Sequence, residues 1–430
     1  MNTPEDQTMP EPNSTGSTSW QRFAWCLYDF ANSAYTTVII TAVYVIYFKG
    51  VVVGPEPVGR SDNLWGIANS SGAFCVFLLA PLFGAIADLG GKKRLFLVIL
   101  TLLCVGTTAG LAATGPGTVA GAVILVIFSI IGFEGGCVFY NAFLPDLAPP
   151  EEIGRLSGKG WALGYVGGLG CLLLLVLTPI AERKISLVPL IVAGWYLVFS
   201  LPMLIMLKDR LNSGRQKLSF SLFKSGFQRL VRTYREIRTL KSLSRFLLAF
   251  FIYNQGVTSI IIFAVAFAND SLNFSTRESI YLITVMNVVA APSALFFGWL
   301  ADRIGARSTL VTTLIIWMGV VAGAELSVWP DIFNSPSDKY FFWIVAGFAS
   351  LAIGSIQATS RGFVGQLAPE GRAGEFYGFM AFAGKGSAIF GPFIFGLLSE
   401  GFASQIPAVA SLGVWFLLGL LLLLRVPKQP

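Results

Sequence analysis

Histidine is absent from the chain. The commonest metal ligand and the usual proton carrier near neutral pH are therefore missing, so no metal or cofactor is expected. Charge is scarce too: Asp, Glu, Lys and Arg make up 12% of the residues, against roughly 25% in a soluble domain. The five cysteines, Cys26, Cys75, Cys104, Cys137 and Cys171, include no Cys-x-x-Cys and all fall in apolar stretches of the first half. They read as small buried hydrophobes, not as a disulfide or zinc framework. The first 19 residues contain no Lys or Arg, which removes the basic start of a secretory signal; rich in Pro, Ser and Thr, they read as a disordered tail (1–19).

What the chain does have is apolar length. Hydrophobic residues make up 54% and the mean hydropathy is +0.70. In hydrocarbon every backbone N–H and C=O needs an internal partner, so only helices or closed barrels can span. Barrel strands would alternate apolar and polar residues, whereas runs such as 408–424 are continuous. The expected fold class is all-α, a polytopic membrane protein. Segments of about 20 residues predict spans over 22–48, 63–88, 94–114, 118–145, 156–180, 187–208, 244–268, 279–301, 307–329, 340–367, 374–399 and 404–425. These twelve divide into six-helix halves at 20–208 and 244–430, joined by a basic linker over 209–243.

Across 208–245 eleven Lys and Arg face two acids. Phe223, Phe227, Leu230, Val231 and Tyr234, interleaved with Arg229, Arg232, Arg235 and Arg238, predict an amphipathic helix on the membrane face. Anionic lipid accounts for such a run, so no nucleic-acid partner is expected. With both termini in the cytoplasm, that side receives 22 Lys and Arg against 6 outside, the sense of the positive-inside rule. In a bacterium the expected location is the inner membrane.

The chain also repeats itself. Gly84-x-x-x-Asp88-x-x-Gly91 is followed by Lys92, Lys93 and Arg94, and Gly298-x-x-x-Asp302-Arg303-x-Gly305 by Arg307, 214 positions later. A second pair, Leu147-Ala-Pro149 with Gly154 and Gly158, returns as Leu367-Ala-Pro369 with Gly374 and Gly378 at an offset of 220. The glycines permit close helix packing, and each Asp can face the positive N-terminus of a neighbouring helix. A plain helix stop with basic anchoring would explain one copy. Two copies in corresponding loops point to a latch between halves that depends on conformational state.

The first of these motifs resembles the signature loop of the major facilitator superfamily. Trp25-Cys-Leu-Tyr28-Asp29-Phe-Ala-Asn32-Ser33, Phe139-Tyr140-Asn141-Ala-Phe-Leu-Pro145 and Tyr253-Asn254-Gln255-Gly256 resemble the branch that includes the autophagy-related vacuolar amino-acid effluxers. The resemblance implies a twelve-helix fold and export of amino acids or similar small solutes, expected to proceed by alternating access. A membrane-embedded enzyme would need a nucleophile with a base or a metal cluster, and no such constellation shows among the spans, so an enzyme is not expected. The resemblance also implies a cavity lined by spans one, four, seven and ten with eleven beside them. It departs at Gln255, where the branch pattern carries an aspartate.

Charges inside spans cost about 2.5–3.5 kcal/mol each on the insertion scale, so each needs a cavity or a partner. Asp29, Glu134, Arg361 and Lys385 are the ones placed within cavity-side spans. A free amino acid offers an ammonium for Asp29 or Glu134 and a carboxylate for Lys385 or Arg361. Alternatively the four pair with one another and only lock the halves, with Asp29 pairing locally near the inner face. Asn32, Tyr140, Asn141, Asn254 and Gln255 are the neutral candidates. Without histidine, proton coupling would fall to a buried carboxylate, and Glu134 is the candidate. Trp25, Tyr44, Tyr47, Trp329 and Trp343 are expected in interfacial aromatic belts.

Two lookalikes fail. Gly158-Lys159-Gly160 to Gly164 lacks the strand that precedes a dinucleotide fingerprint, and Gly154 to Lys159 is one residue short of a P-loop, so ATP is not expected to drive this protein. The expected activity is that of a monomeric secondary transporter. The rival readings are carriage of a sugar, drug, nucleoside or peptide, and a non-transporting receptor on the same bundle.

Overall fold

The computed structural model describes residues 17–54, 60–178, 184–209, 225, 228, 232, 240–272, 274, 276–328, 337–402 and 404–427. For some residues within helices, Asp88 among them, the backbone alone is described. The tail is outside the described residues as far as 16, as is the amphipathic helix expected within 208–245, apart from Ser225, Gln228 and Arg232, which are helical.

Twelve helices among the described residues are long and apolar enough to cross a membrane. In the first half these are α1 (Ser19–Val53), α2 (Arg60–Gly90), α3 (Lys93–Gly110), α4 (Val119–Ala142), α5 (Ile153–Leu177) and α6 (Val188–Met206). The second half has α7 (Lys241–Leu272), α8 (Thr276–Ile304), α9 (Ala306–Leu326), α10 (Ser337–Leu367), α11 (Ala373–Gly401) and α12 (Ile406–Leu424). The span expected over 22–48 is longer at both ends. It begins at a capping box in which the Thr18 hydroxyl accepts from the Gln21 N–H and the Gln21 side chain accepts from the Thr18 N–H, satisfying two otherwise orphan donors. It continues through π-helical turns at Tyr35–Ala42 and Phe48–Val53.

Each half has its own buried core. One is built on Tyr28, Leu97, Cys104, Phe139, Val192 and Tyr196, the other on Phe246, Tyr253, Leu310, Trp317, Phe376 and Phe416. Large apolar side chains such as Phe128, Leu177, Ile344 and Phe393 remain exposed on the outside. An apolar exterior of this kind belongs against acyl chains rather than water.

The halves meet where α2 packs on α11 and where α5 packs on α8 and α10. Both seams are built on glycine. A Cβ on Gly84 would overlap the Gly374 carbonyl, and one on Gly378 would lie 2.6 Å from the Ala80 carbonyl oxygen. In the second seam a Cβ on Gly298 would lie 2.6 Å from the Gly154 carbonyl oxygen, and one on Gly158 would overlap the Ala294 carbonyl. The 214 and 220 offsets of the repeat carry one set of contacts onto the other. Backbones at this separation leave no room for a side chain.

The aromatic-belt expectation is wrong for three residues. Trp25, Tyr44 and Tyr47 are buried in the first half, because their polar tips find partners inside it. The Trp25 Nε1–H donates to the Tyr140 carbonyl at 2.9 Å, and the Tyr47 hydroxyl to the Thr114 carbonyl at 2.8 Å. The Tyr44 hydroxyl bonds to the Thr114 hydroxyl at 2.9 Å. Trp343 is half-buried against the second core, and Trp329 lies outside the described residues.

Candidate functional site

A cavity of about 390 Å³ lies between the halves. Asp29 and Asn32 from α1, Glu134, Tyr140 and Asn141 from α4, Asn254 from α7, Arg361 from α10 and Lys385 from α11 all line it. The apolar character of these helices runs round most of their circumference, so the few polar side chains can only be accommodated on the faces that converge here.

Two ion pairs cross the cavity, each joining one half to the other. Lys385 pairs with Glu134, and both side chains are about a quarter exposed, at 23% and 24%. Arg361 pairs with Asp29 at 2.7 Å, and these side chains are only 5% and 12% exposed. The four intramembrane charges expected from sequence therefore sort into one cavity-facing pair and one enclosed pair.

The enclosed pair is held on all sides. The Arg361 Nε–H donates to the Ser157 hydroxyl at 2.9 Å, and an NH2 hydrogen to the Ser157 carbonyl at 2.5 Å. Its guanidinium lies 4.9 Å from the Trp25 ring centre, 5.5 Å from Tyr140 and 5.4 Å from Trp161. All three rings belong to the opposite half. Such a cage stabilises a cation by about 0.5–2 kcal/mol per well-placed ring and needs no water. Tyr140 stacks on Trp25 at 4.5 Å and on Tyr28 at 4.9 Å, which fixes the cage walls.

Some polar atoms on the cavity wall have no partner among the described residues. The Asn141 Oδ1 and the Trp161 Nε1–H are buried and unbonded. The Tyr140 hydroxyl lies close to the Asp29 carboxyl, without hydrogen-bond geometry to any partner. Unsatisfied groups of this kind are costly unless a bound molecule completes them. Asn254 donates to the Ser387 hydroxyl at 2.5 Å, and Asn32 reaches the Cys137 sulfur at 4.0 Å.

Gln255 is a correction: it does not line the cavity. It is 1% exposed, its side-chain oxygen is buried without a partner, and its backbone faces Gly391 on α11. On α7 the cavity face runs through Phe250, Asn254 and Thr258, about one helical turn apart, and Gln255 lies off that line, toward α11. Sequence reasoning missed several site residues, Thr36, Thr258 and Gln357 of the cavity wall among them, and also Ser157 and Trp161. The last two sit inside the glycine stretch Gly154 to Gly164, whose mismatch with nucleotide motifs drew attention away from its two polar side chains.

The end carrying the termini is closed over this cavity. The Asp302 carboxylate, on α8, accepts from the Gly154 N–H at 2.8 Å and the Arg155 N–H at 2.7 Å, the first free donors of α5 in the other half. Acid at a helix N-terminus is a favourable charge arrangement. Ser157 donates to the Ala358 carbonyl at 2.7 Å, and Gln366 to the Pro150 carbonyl at 2.7 Å, adding further bonds between the halves. The remaining motif residues act within their own half. Gly91 and Gly305 take φ values of +58° and +87°, which suit glycine at a tight turn, and Lys92 precedes α3. Arg94 bonds to the Leu204 carbonyl and Asp209, Arg303 lies over Trp299, and Arg307 bonds to the carbonyls of Leu423 and Leu424. Among the described residues, no three Cys, Asp or Glu converge as a metal site would require.

Comparison with known proteins places this geometry. A sequence profile described as "Vacuole effluxer Atg22 like" matches residues 66–429. The MFS-type transporter YxiO of Bacillus subtilis (strain 168) is 30% identical over 420 residues, 95% of each chain. Autophagy-related protein 22 of Eremothecium gossypii is 25% identical over 436 residues, 88% of this chain and 85% of its own. The proton:xylose symporter XylE, solved with 6-bromo-6-deoxy-D-glucose, superposes with a TM-score of 0.76 at 13% identity, over 95% of this chain and 96% of that one. A bacterial homologue of the iron transporter ferroportin in an outward-facing state gives 0.71 at 15%, over 95% and 98%. At these identities the structural likeness establishes the fold, which is that of the major facilitator superfamily.

Proposed function

The chain belongs to the Atg22-like vacuole effluxer family of major facilitator transporters, and from that premise we propose that it exports amino acids or similar zwitterionic metabolites by alternating access. One observation carries the reading: a cavity between the halves holds Glu134 and Lys385 as a partly exposed pair, with the unbonded Asn141 Oδ1 and Trp161 Nε1–H on the same wall. A zwitterion supplies one charge for each member of the pair and hydrogen-bonding atoms for the two unsatisfied groups. The incoming carboxylate replaces Glu134 at Lys385 and the ammonium replaces Lys385 at Glu134, so no charge is left bare at any stage.

The enclosed Asp29–Arg361 pair has a different role. Three of its guanidinium donors are already taken by Asp29 and Ser157, its face is covered by three rings, and it closes the cavity floor on the side of the termini. Solute exchange therefore occurs at Glu134–Lys385, while breaking Asp29–Arg361, the two glycine seams and the Asp302 cap opens the terminus-bearing end. With basic residues inside, this closed end is cytoplasmic and the arrangement is the releasing state of an exporter. Protons are the coupling ion, and Glu134 is the carboxylate proposed to carry them. One monomer holds the complete site. Transport of a sugar, drug, nucleoside or peptide is the second reading, and a receptor without flux the third.

The test is flux in proteoliposomes, after a thermal-shift screen of free amino acids has chosen the solute. Lys385→Ala is expected to abolish flux of carboxylate-bearing solutes while sparing neutral analogues. Equal loss for both would assign Lys385 a structural role. Binding without flux in the wild-type protein would favour the receptor.

A further inference from the structure

A second cavity, of about 270 Å³, lies between the start of α1 and the start of α5, away from the space between the halves. Its mouth is cationic, formed by Arg22, Arg155 and Lys159 with Glu152 beside them. Arg22 is neutralised by Glu152 at 2.5 Å. Among the described residues neither Arg155 nor Lys159 forms an ion pair and both are exposed; the acid beside Arg155 is Asp302, which accepts from its backbone N–H. The two basic residues stand four positions apart on α5, hence on one face of the helix. Below the mouth the walls are apolar, provided by Phe23, Cys26 and Leu163. Trp20 and Phe23, 69% and 48% exposed, pack edge to face at 6.0 Å on the outer surface of α1.

The position of Lys159 needs an explanation. It is six residues into α5, about 9 Å along the helix axis, on an exposed face of a segment otherwise suited to hydrocarbon. A lysine less than about two turns from a helix start can snorkel to the interface, but there its neighbour Arg155 adds like charge. A phosphodiester group between the two offsets both charges. The apolar foot of the groove and the exposed Trp20 and Phe23 then lie where a glycerol backbone and acyl chain continue. A free phosphate would use only the mouth, and a choline headgroup would bring a third cation to it.

We propose that this groove binds an anionic phospholipid, with its phosphate between Arg155 and Lys159 and its acyl chains along Phe23, Cys26 and Leu163. The backbone N–H of Arg155 also donates to Asp302 across the halves. A lipid held here therefore bears on the closed end and should stabilise it.

Purified full-length protein in neutral detergent would be titrated with phosphatidylglycerol, phosphatidylcholine and inorganic phosphate. Native mass spectrometry would count retained lipid and a thermal melt would read stability. Wild type is expected to retain one phosphatidylglycerol that Arg155→Gln/Lys159→Gln binds about 25-fold more weakly, since each basic contact contributes about fivefold. If the double variant does not fold, Lys159→Gln alone is expected to lose about fivefold. Equal phosphatidylglycerol binding by variant and wild type would overturn the proposal. So would equal protection by phosphatidylcholine, which would make the groove a generic lipid contact, or by inorganic phosphate, which would make it an ion site.

Discussion

Neutralising Asp29 and neutralising Glu134 should have different consequences for stability, although both remove a carboxylate from an ion pair between the halves. Arg361 and Asp29 are 5% and 12% exposed. Removing one partner of a buried pair costs about 3–5 kcal/mol, because the other charge is left bare. In Asp29→Asn the guanidinium would keep both Ser157 acceptors and its three rings. These offset part of the loss, and the expected cost is about 2–3 kcal/mol. Glu134 and Lys385 are about a quarter exposed on the cavity wall, so water can replace either partner. Glu134→Gln should therefore cost about 0–1 kcal/mol. Refolding equilibria in mixed micelles titrated with SDS would measure both. Asp29→Asn/Arg361→Gln should also lose less than the sum of its single variants, since neither charge is then stranded. Equal destabilisation by Asp29→Asn and Glu134→Gln would refute the division into an enclosed pair and an exchangeable one.

Asp302→Asn leaves α5 without its charged cap, at a cost of about 1 kcal/mol, and should raise the population open at the terminus-bearing end about fivefold. Maleimide labelling of Cys137, which lines the cavity, in a Cys26→Ser/Cys75→Ser background would detect this from that side, and unchanged labelling would count against a latch. Asp88→Asn, at the equivalent position, should impair flux more than folding, whereas wild-type flux in a well-expressed variant would remove Asp88 from the latch. Gly158→Val would drive a side chain into the Ala294 carbonyl, a clash of about 1–3 kcal/mol confined to the closed arrangement. Flux should fall while the protein stays folded, and normal flux would show that the seam is not needed. If Glu134 carries the coupling proton, Glu134→Gln should make flux independent of pH, and an unchanged pH profile would end that assignment.

The twelve helices were legible because hydropathy over about 20 residues answers to bilayer thickness alone. The glycine seams were legible through repetition, since Gly84 and Gly298 announce each other. What could not be read was rotation. A helix apolar nearly all round gives no stripe to say which side faces inward, so Gln255 was placed with Asn254 on the cavity wall and Trp25 at the lipid interface. The pairing of Asp29 with Arg361, 332 positions away, depends on how the helices α2 to α9 between them pack. Sequence supplied the charges and left open whether they bind solute or one another. The geometry divides them, with one pair enclosed and the other facing the cavity.

The reciprocal glycine seams have a further consequence. Gly84 meets Gly374 as Gly298 meets Gly154, and Gly378 meets Ala80 as Gly158 meets Ala294, so one self-complementary patch is used twice about an approximate dyad. This is the logic of an isologous dimer contact written within a single polypeptide. A six-helix precursor able to associate with its own copy would already have possessed both closures, and gene fusion would have had only to join them.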